Sequence, residues 1–259
     1  MPELPEVETI VRSIAPALAG RRILAARACS ALVARSPLEA AVGQRVRAVG
    51  RRGKHIVVEL ERGVLDIHLG MTGRLLLGSE RGPYTRAWFD FDGASLVYDD
   101  IRQFGRVEYG ERLPERTARL GPDALAVTAD EFALRLGSRR ARIKPLLMDQ
   151  SFLSGLGNIY ADEALFRARI HPRAAACRLS RQRAGRLHRA ITEVLREALE
   201  HGGSSISDYV DGEGRAGTFQ ALHRVYGRQG LPCPVCGRAI RRMVLAQRGT
   251  HYCARCQRM

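Results

Sequence analysis

Met1-Pro2-Glu3-Leu4-Pro5-Glu6-Val7-Glu8 opens the chain. A Met-Pro start loses its initiator methionine because the second residue is small, which leaves Pro2 as a secondary amine beside the Glu3 carboxylate. An α-amino group titrates at about 7.7–8.0, so part of it is unprotonated at neutral pH, and positive charge or burial nearby enlarges that part. Such an amine attacks a sugar or carbonyl carbon to give an iminium, which is covalent catalysis by an activated nucleophile. The same residues also suit a plain structural reading: proline fits the first turn of a helix and Glu3, Glu6 and Glu8 complement its dipole. Residues 3–19 support a helix, with Leu4, Val7, Ile10, Val11, Ile14 and Leu18 at helical spacing and Gly20 as the stop. Pro16 leaves the last turn in conflict.

Beyond Gly20 the pattern changes at Ile23. Short β-type runs, punctuated by glycines and an Asp-Gly pair, cover Val46–Val49, His55–Leu60, Val64–His68, Leu75–Leu77, Ala87–Phe91, Ser95–Tyr98 and Arg106–Tyr109. This predicts an antiparallel sandwich or barrel. Gly110–Leu125, with Pro114 and Pro122, reads as a linker. Helical spacing returns over Asp130–Leu136, Pro145–Leu153, Asn158–Ala168 and Ser180–His201, and Asp208–Gly217 reads as a mobile glycine-rich loop. The expected organisation is α+β and multidomain: 1–112 a β-sandwich with its leading helix, 113–125 a linker, 126–218 a helical domain with the loop, and 219–259 a cysteine-rich finger.

Charge narrows the partners. Lys+Arg number 42 against 27 Asp+Glu, a net +15, which points to a polyanion. No run of about 18 apolar residues predicts a membrane span, and Glu3, Glu6 and Glu8 occupy the place of a basic signal-peptide region. A cytoplasmic setting is expected, where thiols stay reduced, so the six cysteines are candidates for metal. Cys233-x2-Cys236, sixteen residues, then Cys253-x2-Cys256 is the spacing of a tetrahedral four-sulfur zinc site, structural because no position stays open for water. Cys29 and Cys177 stand alone and read as packed thiols. Between the pairs Arg248 would sit at a hairpin tip, either available to a phosphate or simply solvated. Gly155-Leu156-Gly157-Asn158 opens a helix, which exposes N–H groups to an anion, with Asn158 as a cap. Lys144 and Arg140, with Arg139 and Arg142, add charge just upstream.

Taken together, the opening Pro2-Glu3-Leu4-Pro5-Glu6, the stretch Arg51-Arg52-Gly53-Lys54, Leu147–Gln150 through Gly155–Glu163 and the four-cysteine finger resemble bacterial formamidopyrimidine-DNA glycosylases, in the same order along the chain. The resemblance implies a helix–two-turn–helix element in the helical domain and a bifunctional DNA glycosylase/lyase of base excision repair acting on oxidised purines. By that resemblance Pro2 attacks C1′ of the damaged nucleotide, Glu3 handles protons at the sugar, Glu6 supports it, Lys54 acts near the lesion and Arg248 meets the phosphates during δ-elimination. Met71 matches a wedge methionine, Arg102 and Phe104 the pair filling the gap opposite, His68 a phosphate-side histidine and Tyr84 the place of a DNA-contacting histidine. Asp208–Gly217 with Phe219 matches the loop closing over an everted base, since a base must leave the stack before its C1′ is reachable. The family motif Asp-Pro-Arg-Arg-Phe-Gly here reads Asp100-Ile101-Arg102-Gln103-Phe104-Gly105, and losing the proline implies a looser wedge loop. The implied cofactor is one structural zinc and the implied partner double-stranded DNA bearing an oxidised base, with no membrane and a monomeric protein. An oxidised-pyrimidine enzyme, or a non-catalytic damaged-DNA-binding protein on the same scaffold, are the alternatives.

Overall fold

The computed structural model describes residues 2–206 and 208–259; Met1, on whose removal the Pro2 chemistry depends, and Ser207 lie outside the described residues. The chain forms two compact units, one of Met1–Arg119 with Leu199–Gln220 and the other of Leu120–Ala198 with Ala221–Met259. No helix among the described residues is long and apolar enough to cross a membrane.

The first unit begins with α1 (Leu4–Leu18), whose apolar stripe of Leu4, Val7, Ile10, Val11, Ile14 and Leu18 is buried. Pro16 lies inside the helix. It is in the last turn, where only one intrahelical bond is lost to its missing N–H. Eight strands follow: β1 (Ile23–Ala28), β2 (Val46–Arg52), β3 (His55–Leu60), β4 (Val64–His68), β5 (Gly73–Leu77), β6 (Thr85–Phe91), β7 (Ala94–Asp100) and β8 (Arg106–Gly110). They form two antiparallel sheets, β1-β6-β7-β5 and β2-β3-β4-β8. Leu75, Phe89 and Tyr98 from one sheet and Ile56, Ile67 and Val107 from the other share a single core with Val7, Ile10 and Ile14 of α1. This is the expected sandwich, with period-2 burial clearest in β6, where Ala87, Phe89 and Phe91 point inward.

The expected linker is partly structured. Glu115–Ala118 forms a helical turn, α2, and the Arg52 guanidinium donates to the carbonyls of Thr117 and Ala118 at 2.7 Å. The expected mobile loop is likewise bonded to this unit. Asp211 accepts from the N–H groups of Glu213 and Arg215 at 2.9 Å, Gly212 N–H donates to Ser13 Oγ at 3.0 Å and Leu77 N–H to the Gly212 carbonyl at 2.8 Å. A Cβ on Gly212 would fall 2.4 Å from Ile14 Cγ2, so glycine is what permits this approach.

The second unit holds α3 (Ala129–Gly137), α4 (Ile143–Met148), α5 (Asn158–Arg167) and most of α6 (Arg181–Glu200), followed by the hairpin β9 (Arg241–Leu245) and β10 (Arg248–Tyr252). α4 stops short of the expected Leu153 because the Asp149 carboxylate captures the N–H and hydroxyl of Ser151 at 2.9 and 2.7 Å, a local bond that competes with the helix. Gln150 then fastens the turn into α5, receiving Gly155 N–H at 2.9 Å and donating to the Leu156 carbonyl at 2.8 Å.

Candidate active site

Glu3 is the N-cap of α1 and its side chain is buried. Its backbone N–H donates to Glu6 Oε2 at 2.7 Å, while Glu6 Oε1 accepts Ser204 N–H at 2.7 Å. One buried carboxylate therefore fixes the backbone entering α1 and the residue after Gly203. Pro2, next to this cap, is buried as well. Tyr209 closes the far side, its hydroxyl donating to the carbonyls of Glu6 and Gly202 at 3.3 and 3.0 Å. Burial raises the pKa of this phenol. Lys54 occupies the turn between β2 and β3 and is buried, following Gly53 at φ 57°. Arg51 holds that hairpin to α1 through Glu8 at 3.0 Å.

The wedge candidates come together on two adjacent loops of the same unit. Met71 in the β4–β5 loop is 40% exposed and Phe104 in the β7–β8 loop 56%. Arg102 links them, donating to Met71 Sδ at 3.5 Å with its guanidinium carbon 4.6 Å from the Phe104 ring centre. The loops touch through backbone: a Cβ on Gly70 (φ 60°) would lie 2.6 Å from Gly105 N. Asp100, fully buried, ties them. Its carboxylate accepts Thr72 Oγ1 at 2.6 Å, Arg102 N–H at 3.2 Å and Gly105 N–H at 2.8 Å. Gln103 sits at φ 57° with Oε1 accepting from Ser30 Oγ at 2.6 Å. The loop expected to loosen for want of a proline is thus held by other bonds. Asp100 is a residue whose part sequence reading missed, because its partners are distant along the chain. Tyr84 is 49% exposed just before β6.

His68 ends β4 with its Nδ1 accepting Gly70 N–H at 3.2 Å, which leaves the proton on Nε2. Burial, with His55 and Lys54 beside it, pushes its pKa down to about 3. It is a neutral donor, and it lines a cavity of about 210 Å³ with His55, Phe104, Arg106 and Arg116. Behind it the buried Asp66 receives His55 Nδ1 at 2.9 Å, Thr117 Oγ1 at 3.0 Å and Arg116 at 3.3 Å. The sequence signal for that cluster was an acid at an interior position of an apolar strand.

In the second unit Gly157, not Asn158, is the N-cap of α5, and its backbone is extended at φ −134°. Asn158 is the first helical residue, half-buried. Arg140 is exposed. Lys144 corrects the sequence reading. It is fully buried and ion-paired with Asp162 at 2.7 Å, and it also donates to Thr250 Oγ1 and the Gly249 carbonyl at 2.9 and 3.0 Å. An ammonium enclosed in this way is not on the surface to meet a phosphate. Its partners place it behind β10, where Asp162 also accepts His251 N–H at 2.8 Å. Glu163, adjacent, receives the N–H groups of Arg224, Val225 and Tyr226 at 2.8–3.0 Å; burial raises its pKa against those bonds. Arg248 is exposed at the start of β10, after a two-residue turn in which Ala246 and Gln247 both have positive φ, 46° and 61°. Phe219, which follows the Asp208–Gly217 loop, is buried against His201, ring centres 6.4 Å apart.

The sulfurs of Cys233, Cys236, Cys253 and Cys256 all lie within 4.8 Å of one another, and Cys233 and Cys253 pack with Phe166, Val225 and Ile240. Four thiols so arranged around one point fit a single tetrahedral zinc, which would cross-link the two cysteine turns and leave no open coordination position.

Comparison with known proteins agrees with this architecture. Residues 1–107 match the formamidopyrimidine-DNA glycosylase N-terminal domain, residues 120–210 the formamidopyrimidine-DNA glycosylase H2TH domain, and residues 230–258 the zinc finger found in FPG and IleRS. A formamidopyrimidine-DNA glycosylase from Solibacter usitatus is 53% identical over the full length of both chains, and one from Thermus thermophilus 45% over 99% of this chain and 98% of its own. The crystal structure of MutM (Fpg) protein from Thermus thermophilus superposes with a TM-score of 0.91 at 44% identity, covering 99% of this chain and 98% of that one. A Lactococcus lactis Fpg mutant in complex with Fapy-dG-containing DNA gives 0.90 at 32% identity over the whole of both chains. The chain belongs to the formamidopyrimidine-DNA glycosylase family.

Proposed function

We propose that this base excision repair DNA glycosylase and abasic-site lyase acts on oxidised purines in double-stranded DNA, with Pro2 as the nucleophile once Met1 is removed. The observation that carries the reading is the buried cap at the start of α1, where Glu6 holds the backbone of Glu3 at 2.7 Å and so fixes Pro2 beside a buried carboxylate. The Pro2 nitrogen lone pair forms a bond to C1′ as the bond from C1′ to the base breaks, and the base leaves with a proton. Glu3 delivers a proton to the ring oxygen as it opens, giving an iminium. Loss of a C2′ proton then expels the 3′ phosphate, a second elimination expels the 5′ phosphate, and water frees the amine. Lys54 serves those proton transfers and Arg248 the phosphates.

Met71 and Phe104, exposed and joined through Arg102, would with it fill the space the everted nucleotide leaves. Such wedges offset an unstacking cost of a few kcal/mol. His68 Nε2–H, Tyr84, Arg140 and Asn158 are proposed DNA contacts, and the zinc keeps the hairpin bearing Arg248 folded. A DNA partner accords with the relatives crystallised on damaged DNA. We infer a monomer working in the bacterial cytoplasm. Incubation with 8-oxoguanine duplex and borohydride tests the reading: a covalent protein–DNA band is expected, and damaged-DNA binding with neither base release nor adduct would leave only a binding protein.

A further inference from the structure

A cavity of about 1040 Å³ in the second unit lies away from the residues proposed above. Its lining carries six arginines, Arg167, Arg169, Arg183, Arg186, Arg255 and Arg258, and no acidic side chain. It sits at the C-terminal end of α5, roughly 15 Å (ten residues at about 1.5 Å each) from the Gly157–Asn158 end. Like charges gathered in a concavity repel one another and concentrate the field there, so the charge balance decides whether the cluster is already satisfied.

Part of it is. The Arg167 guanidinium pairs with Glu197 and, at 3.7 Å, with Glu193. Cys236 and Cys256 form one wall, and a zinc held by four thiolates carries two net negative charges, enough to offset two more arginines. The remaining excess is positive. Two further features leave it so. Arg183 and Arg186 stand in the first two turns of α6, which has no acidic residue in its first turn, so their charge adds to the positive end of the helix where anions are favoured. Arg169 follows α5 at φ 57°, a left-handed position after a helix that glycine usually fills, and its side chain is exposed into the cavity.

The guanidiniums are also positioned. Arg183 donates to the main-chain oxygens of Arg258 and Met259 at 3.0 and 3.1 Å, and Arg186 Nε to the Ala168 carbonyl at 2.8 Å, so their planes are fixed while other N–H groups remain. Planar, fixed forks suit phosphate oxygens. The lining has no aromatic side chain, which disfavours single-stranded nucleic acid, whose bases stack on such platforms. The volume is that of a small-ligand pocket, too small to admit a duplex. Val235, 56% exposed, offers an apolar edge.

We propose that this arginine-lined cavity is a second anion site, separate from the DNA-binding residues, that takes a compact polyphosphate, either inorganic or the triphosphate of a nucleotide. The test is calorimetric titration of the zinc-loaded full-length protein with inorganic tripolyphosphate, ATP and orthophosphate. Tripolyphosphate is expected to bind at one site at least about tenfold more tightly than orthophosphate, a gap of about 1.4 kcal/mol. ATP binding more tightly still identifies the nucleotide as the source, and equal binding identifies the free polyphosphate. Arg255→Glu, and separately Arg169→Gly, which suits the left-handed backbone, should each weaken tripolyphosphate by about tenfold or more while leaving incision of damaged DNA unchanged. Absence of binding, equal affinity in both variants, stoichiometric displacement by duplex DNA, or tighter binding of an oligoglutamate peptide would each overturn the proposal.

Discussion

Lys144 and Asp162 form an ion pair at 2.7 Å with both side chains almost wholly out of water, and each reaches one further strand, β10, which begins at Arg248. Removing one partner of a buried pair strands the other's charge and costs about 3–5 kcal/mol. Lys144→Met should therefore lower the urea midpoint sharply and accelerate zinc loss to a chelator. The paired change Lys144→Met with Asp162→Leu should recover much of the stability. A Lys144→Met protein with unaltered midpoint but weaker DNA binding would restore the surface-contact reading.

The Glu6 carboxylate is a second structural hinge. Because it accepts two buried N–H groups, from Glu3 and Ser204, Glu6→Ala should cost about 1–3 kcal/mol by leaving them unsatisfied. It should also cut borohydride trapping by about tenfold or more, although Pro2 and Glu3 are untouched. Trapping at the original rate in a folded variant would show that the cap does not orient the nucleophile.

The hairpin tip bears Ala246 and Gln247 at positive φ, where residues with a side chain are strained and Asn-Gly is favoured. Replacing the pair by Asn-Gly should stabilise the protein by about 0.5–1 kcal/mol. A thermal melt measures this, and incision assays then show whether the strain at Ala246 and Gln247, next to Arg248, matters to turnover.

Acid should destabilise the protein through its buried histidines. Folded His68 resists protonation down to about pH 3 and His223, by burial, to about pH 4, whereas an unfolded histidine gains a proton near 6.5. Between those values the unfolded chain binds more protons, so stability falls as pH drops below 6.5, by at most about 1.4 kcal/mol per pH unit for each group. His68→Gln should flatten the profile between pH 6.5 and 3. An unchanged slope would mean that His68 titrates normally in the folded protein.

Much of this was legible along the chain, for reasons that differ by element. α1 and the strands announce themselves because each buries one regular face, and Cys233, Cys236, Cys253 and Cys256 because a tetrahedral metal imposes their spacing. Lys144 was misread because an ammonium in a basic stretch looks solvated until Asp162, eighteen positions on, is seen beneath it. Asp100 gave no sign of tying two loops, since Thr72 and Gly105 meet it only in the folded sheet. Asn158 looked like a cap because its side chain suits that place, yet Gly157 takes the extended backbone that a cap requires.

The most direct measurement is peptide mapping of the borohydride-reduced adduct formed with 8-oxoguanine duplex by the processed protein. The sugar remnant should be attached to the nitrogen of Pro2, and Pro2→Gly should sharply lower its yield while duplex binding is kept. Attachment at Lys54 or any other amine, or full base release by a protein still carrying Met1, would contradict it.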